Sequence, residues 1–178
     1  VSTITRKEAA ERVQNIYPLI NPIHKDTMDE DTAMEEIPLV RWHMKGFHEQ
    51  CIERYEELKK KNGGTGKLKD YLFPFIDDHQ IDPNEFEDMG ILFKDASKIV
   101  MKCLYGARFV RFDLLWPIGD LARKVSKWSK ACDRRLERLM GHMQSTIDYG
   151  LEGFVGDRPE DCHVLAYCDA SFADEVST

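Results

Sequence analysis

Apolar residues recur at helical spacing through the middle of the chain. Ala96, Ile99, Val100, Cys103, Leu104 and Ala107 follow the i, i+3, i+4, i+7 rule and predict a helix with one buried face. A second helix is expected after Asp113, which is placed to cap it, with Leu114, Leu115, Ile118, Leu121, Ala122 and Val125 inward. Pro117 falls in its first turn, where a missing N–H costs little if the helix starts late. A third helix begins near Lys130 and turns Cys132, Leu136, Leu139, Met140, Met143 and Ile147 inward. Earlier in the chain, Met44, Phe47, Cys51, Ile52, Tyr55 and Leu58 predict another one-sided helix, stopped by Asn62-Gly63-Gly64.

Elsewhere the pattern changes. Ala9, Val13, Ile16 and Ile20 give residues 5–20 a helical period that Pro18 and Pro22 end. Residues 24–36 are polar and acidic and read as a solvated loop. Its Asp26, Asp29, Glu30 and Asp31 lack the glycine turn and ligand order of a calcium loop. Residues 71–93 place short apolar bursts around Pro74 and Pro83, as in an extended connector. After Gly150 the period becomes two: Leu151, Gly153 and Val155 alternate with Glu152 and Phe154, and residues 163–169 read as a buried strand ending at Asp169. The fold class expected is therefore α+β and mostly helical, a helical bundle followed by one or two strands. Its expected segments are an acidic 1–40, a helix and connector over 41–93, a basic helical region over 94–148 and a strand region over 149–178.

Charge sharpens the picture. Residues 94–142 hold 12 Lys+Arg against 5 Asp+Glu, a net of +7, while residues 1–93 (12 against 19) and 143–178 (1 against 8) are each −7. The basic block lies within a chain of overall charge −7. Arg108, Arg111, Arg123, Lys127, Lys130, Arg134, Arg135 and Arg138 are the candidate nucleic-acid-binding residues, because Lys and Arg neutralise phosphates with release of counterions. Trp116, Trp128 or Tyr105 would add base stacking. The competing reading is a solvated helix face paired in part with the acidic flanks.

Other chemistry is sparse. The five cysteines (51, 103, 132, 162, 168) are odd in number and hold no Cys-x-x-Cys, which favours reduced thiols in an intracellular protein, cytoplasmic or nuclear. His43 and His48, five apart, do not share a helix face and read as surface histidines. Gly63-Gly64-Thr65-Gly66-Lys67 fails as a phosphate loop, since Lys61 and Leu68 stand where that motif needs Gly and Ser or Thr. No apolar run reaches the roughly 18–20 residues of a membrane span, so no membrane partner is expected. Val1 in place of a methionine, and an end inside a strand region, lead us to expect a piece of a longer product.

Taken together, several stretches resemble copia-type retrotransposon polyproteins. They are residues 101–115, with Arg111-Phe112-Asp113 where that family typically has Arg-Pro-Asp; Leu121-Ala122-Arg123; Lys127-Trp128; residues 132–139; residues 145–151; and residues 166–173. The helix around residues 47–55 also fits, so the resemblance covers about 41–174 and leaves the first 40 residues unmatched. It implies that residues 41–147 are the connection and thumb-like end of a reverse transcriptase, lying along template and primer or an RNA–DNA hybrid. It further implies that Asp169 is the first of four ribonuclease H carboxylates, a catalytic and metal ligand only if the site is completed. Mg2+ is the cofactor of a complete family member; none is expected of this chain alone. The polymerase's Tyr-x-Asp-Asp motif is absent, since Asp77-Asp78 follows Phe75-Ile76 and falls after the helix. The expectation is a truncated polyprotein, non-catalytic by itself, possessing at most nucleic-acid affinity. Two alternatives stay open: a helical protein-interaction module with no nucleic-acid role, and a hydrolase completed by a partner chain.

Overall fold

The computed structural model describes residues 1–16, 29–154, 156 and 160, with the side chains of 13–16 left aside. The chain is α+β and divides into two compact units, one of residues 1–40 with 153–178 and one of Arg41–Glu152.

The first unit holds β1 (Ser2–Thr5), α1 (Arg6–Ile16), the one-turn α2 (Glu30–Ala33) and most of β2 (Glu36–Trp42). Asp29 caps α2 by accepting from Thr32 N at 2.7 Å, so an acidic stretch expected as loop contains a turn of helix. β1 and β2 pair antiparallel with Ile4 opposite Ile37. β3 (Leu151–Phe154) completes a sheet of order β1-β2-β3. Glu36, Ile37, Pro38 and Leu39 alternate exposed and buried, the period of a strand with one covered face. Ile4, Ala9, Ile37 and Leu39 form its small core with Phe154 against them. The expected strand over 163–169, Asp169 included, lies outside the described residues.

The second unit is a helical bundle of α3 (Lys45–Lys61), α4 (Asn84–Glu87), α5 (Ala96–Phe109), α6 (Leu115–Arg123) and α7 (Lys130–Ser145). The residues expected inward on α3, α5, α6 and α7 do form one core: Cys51, Tyr55, Ile99, Cys103, Leu114, Ile118, Leu121, Leu136, Leu139 and Met143 are all buried. Cys51, Cys103 and Cys132 are free, buried thiols. Gly63, at φ +81°, turns the chain beyond Asn62 at the end of α3, and Gly66, at φ +87°, turns it again.

One expectation fails locally. Asp113 does not cap α6, which starts at Leu115 after a 3-10 turn of Phe112–Leu114 and has no side-chain cap. The Asp113 carboxylate is already engaged by Arg111. The late start places Pro117 in the first turn of α6, where it is buried and removes no helical hydrogen bond that would otherwise form.

Two helix ends meet at Asp95. Its buried carboxylate accepts from Lys98 Nζ at 2.7 Å, Asn62 Nδ2 at 3.2 Å and Lys61 Nζ at 3.1 Å, tying the C-terminus of α3 to the start of α5. The hydrogen bonds of Lys98, Asn62 and Lys61 hold this carboxyl well below the usual carboxylate range. A depressed folded-state pKa stabilises the fold above the unfolded value of 3.8, and the contribution is lost as pH falls below it. Asp95→Asn should therefore lower the melting temperature at pH 7, with the gap to wild type closing as the pH is taken below 3.8. Thermal unfolding across that range checks it, and a gap independent of pH would refute the role of the charge.

Candidate nucleic-acid interface

The buried stripe of α7 (Leu136, Leu139, Met140, Met143) fixes which way its remaining residues face. Lys130, Arg134, Arg135 and Arg138 fall along the other side, and the connector of residues 77–88 lies against it. Lys130 Nζ meets Asp88 Oδ2 at 2.7 Å and Arg134 meets Glu85 at 3.0 Å. Arg135 pairs with Asp78, has Asp120 Oδ2 3.7 Å away, and holds its guanidinium 5.5 Å from the centre of the Phe86 ring. Arg138 stacks over Tyr71 at 4.9 Å, with its Nε buried and without a hydrogen-bond partner among the described residues. Residues 77–88 carry six carboxylates and no Lys or Arg, so against the +7 of residues 94–142 the sum is +7 − 6 = +1.

Backbone contacts hold this acidic strap in register. Lys130 N donates to Asp88 O at 2.8 Å, and Gly90 N donates to Trp128 O at 3.2 Å. Asp133, one turn into α7, accepts from Ile91 N at 2.6 Å, Leu92 N at 3.3 Å and Trp128 Nε1 at 2.7 Å. Burial pushes its carboxyl pKa up despite those donors. Gly90 is required for the close approach, since a Cβ there would lie 2.5 Å from Ser129 O and 2.6 Å from the Asp133 carboxylate. Trp128, expected as a stacking residue, is instead a core residue 2% exposed. Trp116 is 69% exposed and meets Phe75 edge-on at 6.3 Å.

The eight cations thus separate into kinds. Arg108 and Lys127 are exposed, with no side-chain partner among the described residues. Arg123 is exposed, 3.6 Å from Asp120, a carboxylate that also binds Lys124. Lys130 and Arg134 are exposed but paired, and Arg135 and Arg138 are half-buried. Arg111 belongs elsewhere.

Arg111 is 1% exposed, so the structure takes it off the outward basic face on which sequence position placed it. Its Nε and Nη2 donate to the two oxygens of Asp113 at 2.9 and 2.7 Å, a bidentate pair. Nη1 donates to Thr146 O at 3.0 Å and Nη2 to Thr146 Oγ1 at 2.7 Å. Thr146 is the C-cap of α7, so the cation sits where that helix's carbonyls concentrate negative charge. Burial raises the pKa of Asp113, but the Arg111 hydrogen bonds and charge outweigh it and leave the carboxyl below its ordinary value. His142 Nε2 lies 3.7 Å from the same carboxylate. The Arg111-Phe112-Asp113 stretch is thus a structural clamp in this chain.

His48 also departs from expectation. It is 1% exposed, not a surface histidine, and neither ring nitrogen has a partner among the described residues. Gly106 makes room for it: a Cβ there would lie 2.7 Å from His48 Nε2. Burial, with the nearby Arg111 charge, lowers its pKa and keeps the ring neutral. Neither Asp133 nor His48 was singled out as structural from the sequence, since nothing local distinguishes them from other polar residues of a helix.

Among the described residues no three His, Cys, Asp or Glu side chains are grouped to hold a metal, and no helix is long and apolar enough to cross a membrane. Asp169 lies outside those residues. Set against family models, curated proteins and solved structures, the chain matches none.

The contrast between the clamp and the surface pairs is measurable. Arg111→Ala removes a buried guanidinium that donates to the half-exposed Asp113 carboxylate and to Thr146, and should cost about 2–3 kcal/mol of unfolding free energy. Arg134→Ala, at a partly exposed and screened pair, should cost at most about 1 kcal/mol. Urea denaturation of the two variants checks this; equal costs would contradict the division.

Proposed function

We propose that the chain is part of a copia-type reverse transcriptase/ribonuclease H polyprotein, non-catalytic alone, whose helical unit binds the backbone of a template–primer or RNA–DNA hybrid. The order and spacing of the matching stretches support the family reading. The observation that carries the binding reading is that Arg123, Lys127, Lys130 and Arg134 are exposed around the α6–α7 turn, Lys127 with no side-chain partner among the described residues and the other three on partners that phosphates can displace. Exposed ion pairs contribute only about 0–1 kcal/mol each, so exchanging a carboxylate for a phosphate is cheap. Arg135 and Arg138, more deeply packed, position the surface and are the last to exchange. In a complete family member Mg2+ would supply the hydrolytic chemistry, with Asp169 as one of the carboxylates that would hold it. A single carboxylate, Asp169, does not hold a two-metal site, so no cleavage step is assigned to this chain.

The second reading, a helical protein-interaction module, draws on the same neutralisation: with the strap in place the basic region has little net charge left to attract nucleic acid. Recovery of one protein partner and no nucleic acid from a pulldown would favour it.

The strap decides between them. Replacing its three paired acids together (Asp78→Asn, Glu85→Gln, Asp88→Asn) frees the cations of α7. Affinity for an RNA–DNA hybrid should rise about tenfold or more, and the slope of log K against log salt should steepen by roughly 0.7–0.9 per added phosphate contact. Hybrid binding absent from both proteins, or indifferent to salt, would overturn the nucleic-acid reading.

A further inference from the structure

Helix α5 buries Ala96, Ile99, Val100, Cys103 and Ala107 and turns the opposite side outward. That outer side carries Lys98, Met101, Lys102, Tyr105, Arg108 and Phe109, which fall within one arc of the helix by the three- and four-residue spacing. Its rings are exposed to an unusual degree: Tyr105 is 54% and Phe109 58% exposed, and Phe112 just beyond the helix is 53%. Phe47 of α3, half-buried with its inner side against the core, extends the row. The Phe47 and Tyr105 centroids are 5.5 Å apart, and those of Tyr105 and Phe109 are 4.9 Å apart, tilted by about 54° and 53°. An apolar surface of this kind, outside the core and bordered by charge, marks an interaction site.

We propose that the outer face of α5 is a stacking platform for single-stranded nucleic acid, with bases on Phe47, Tyr105 and Phe109 and phosphates on Lys102 and Arg108. The proposal rests on the nucleic-acid reading above but assigns a different surface and a different form of ligand from the hybrid surface of α6 and α7.

Charge selects an anionic occupant. Residues 96–109 contain Lys98, Lys102 and Arg108 and no carboxylate. Arg108 is exposed with no partner among the described residues. Lys102 lies 5.6 Å from the centre of the Phe47 ring, with its ammonium only 3.4 Å from Gln50 O, so its charge is not met by any acid there. Lys98 is held by Asp95, but among the described residues no acid meets Lys102 or Arg108 as residues 77–88 meet α7. The rings then select the single-stranded form. A base stacks on an exposed side-chain ring only when its own face is free, which a flexible single strand allows and the paired, stacked interior of a duplex does not. Interleaved rings and cations are what sequence-tolerant single-strand binding needs, because every base has a π-face and every nucleotide a phosphate.

The test uses the full chain and two labelled probes, an oligothymidylate of about 12 nucleotides and a blunt RNA–DNA hybrid of the same length. Tyr105→Ala/Phe109→Ala removes two rings that lie outside the core. It should weaken oligothymidylate binding at least about 20-fold and leave hybrid affinity and melting temperature unchanged, and Tyr105→Phe/Phe109→Ala, which keeps a ring at position 105, should recover part of the loss. Oligothymidylate affinity unchanged in the double variant, or lost in parallel with hybrid affinity, overturns the platform. So does a shift of the double variant from dimer to monomer in sedimentation, which would make this face a contact between copies of the chain. If hybrid binding persists while the double variant keeps full single-strand affinity, only the platform falls. If the wild-type chain binds neither probe, the platform and the nucleic-acid reading fall together.

Discussion

A helix that buries Leu136, Leu139, Met140 and Met143 carries Arg134, Arg135 and Arg138 with it, and three guanidiniums in two turns need partners or water. The chain meets that constraint with its own acidic connector. Residues 77–88 arrive at α7 because Lys130 N and the Asp133 carboxylate fix residues 88–92 against the start of the helix, and Gly90 lets the backbones approach. Once that register is set, Asp88, Glu85 and Asp78 fall in turn beside Lys130, Arg134 and Arg135. The pairing is a consequence of packing. Any anion that binds this face has to compete with it.

The other end of α7 is held by different means. Arg111 is buried, bidentate on Asp113, and donates to the helix's C-cap residue, so its charge does structural work that solvent cannot replace. Two cations close in sequence, Arg108 and Arg111, therefore have opposite roles: one is exposed and free of a described partner, the other is locked beneath the surface. Formal charge counts treat them alike. Burial separates them.

Much of the helical unit was legible from periodicity alone. The inward positions of α3, α5 and α7 obey the three- and four-residue rule so closely that the core could be named residue by residue, and the stop after Asn62 is confirmed by the positive φ of Gly63. What the sequence hid depends on residues far apart. The pairs between α7 and the strap join positions 42, 49 and 57 residues apart, and no local pattern announces them. β2 escaped notice because only Ile37 and Leu39 mark its buried face, with Pro38 between them. Asp113 looked like a cap because helix caps favour aspartate, but Arg111, two residues away, had the stronger claim on its oxygens. His48 was misplaced because its burial depends on Gly106, a glycine on another helix.

The cations of α7 are neutralised from within the chain. A double-mutant cycle on Arg135 and Asp78, followed by urea denaturation at low and high salt, tests this most directly. Arg135 is mostly buried and also near Asp120, so the coupling should be about 0.5–1.5 kcal/mol in low salt and should shrink in high salt. Strictly additive single variants at both salt concentrations would mean that the strap does not hold this face, and the division of the basic residues drawn from it would fail.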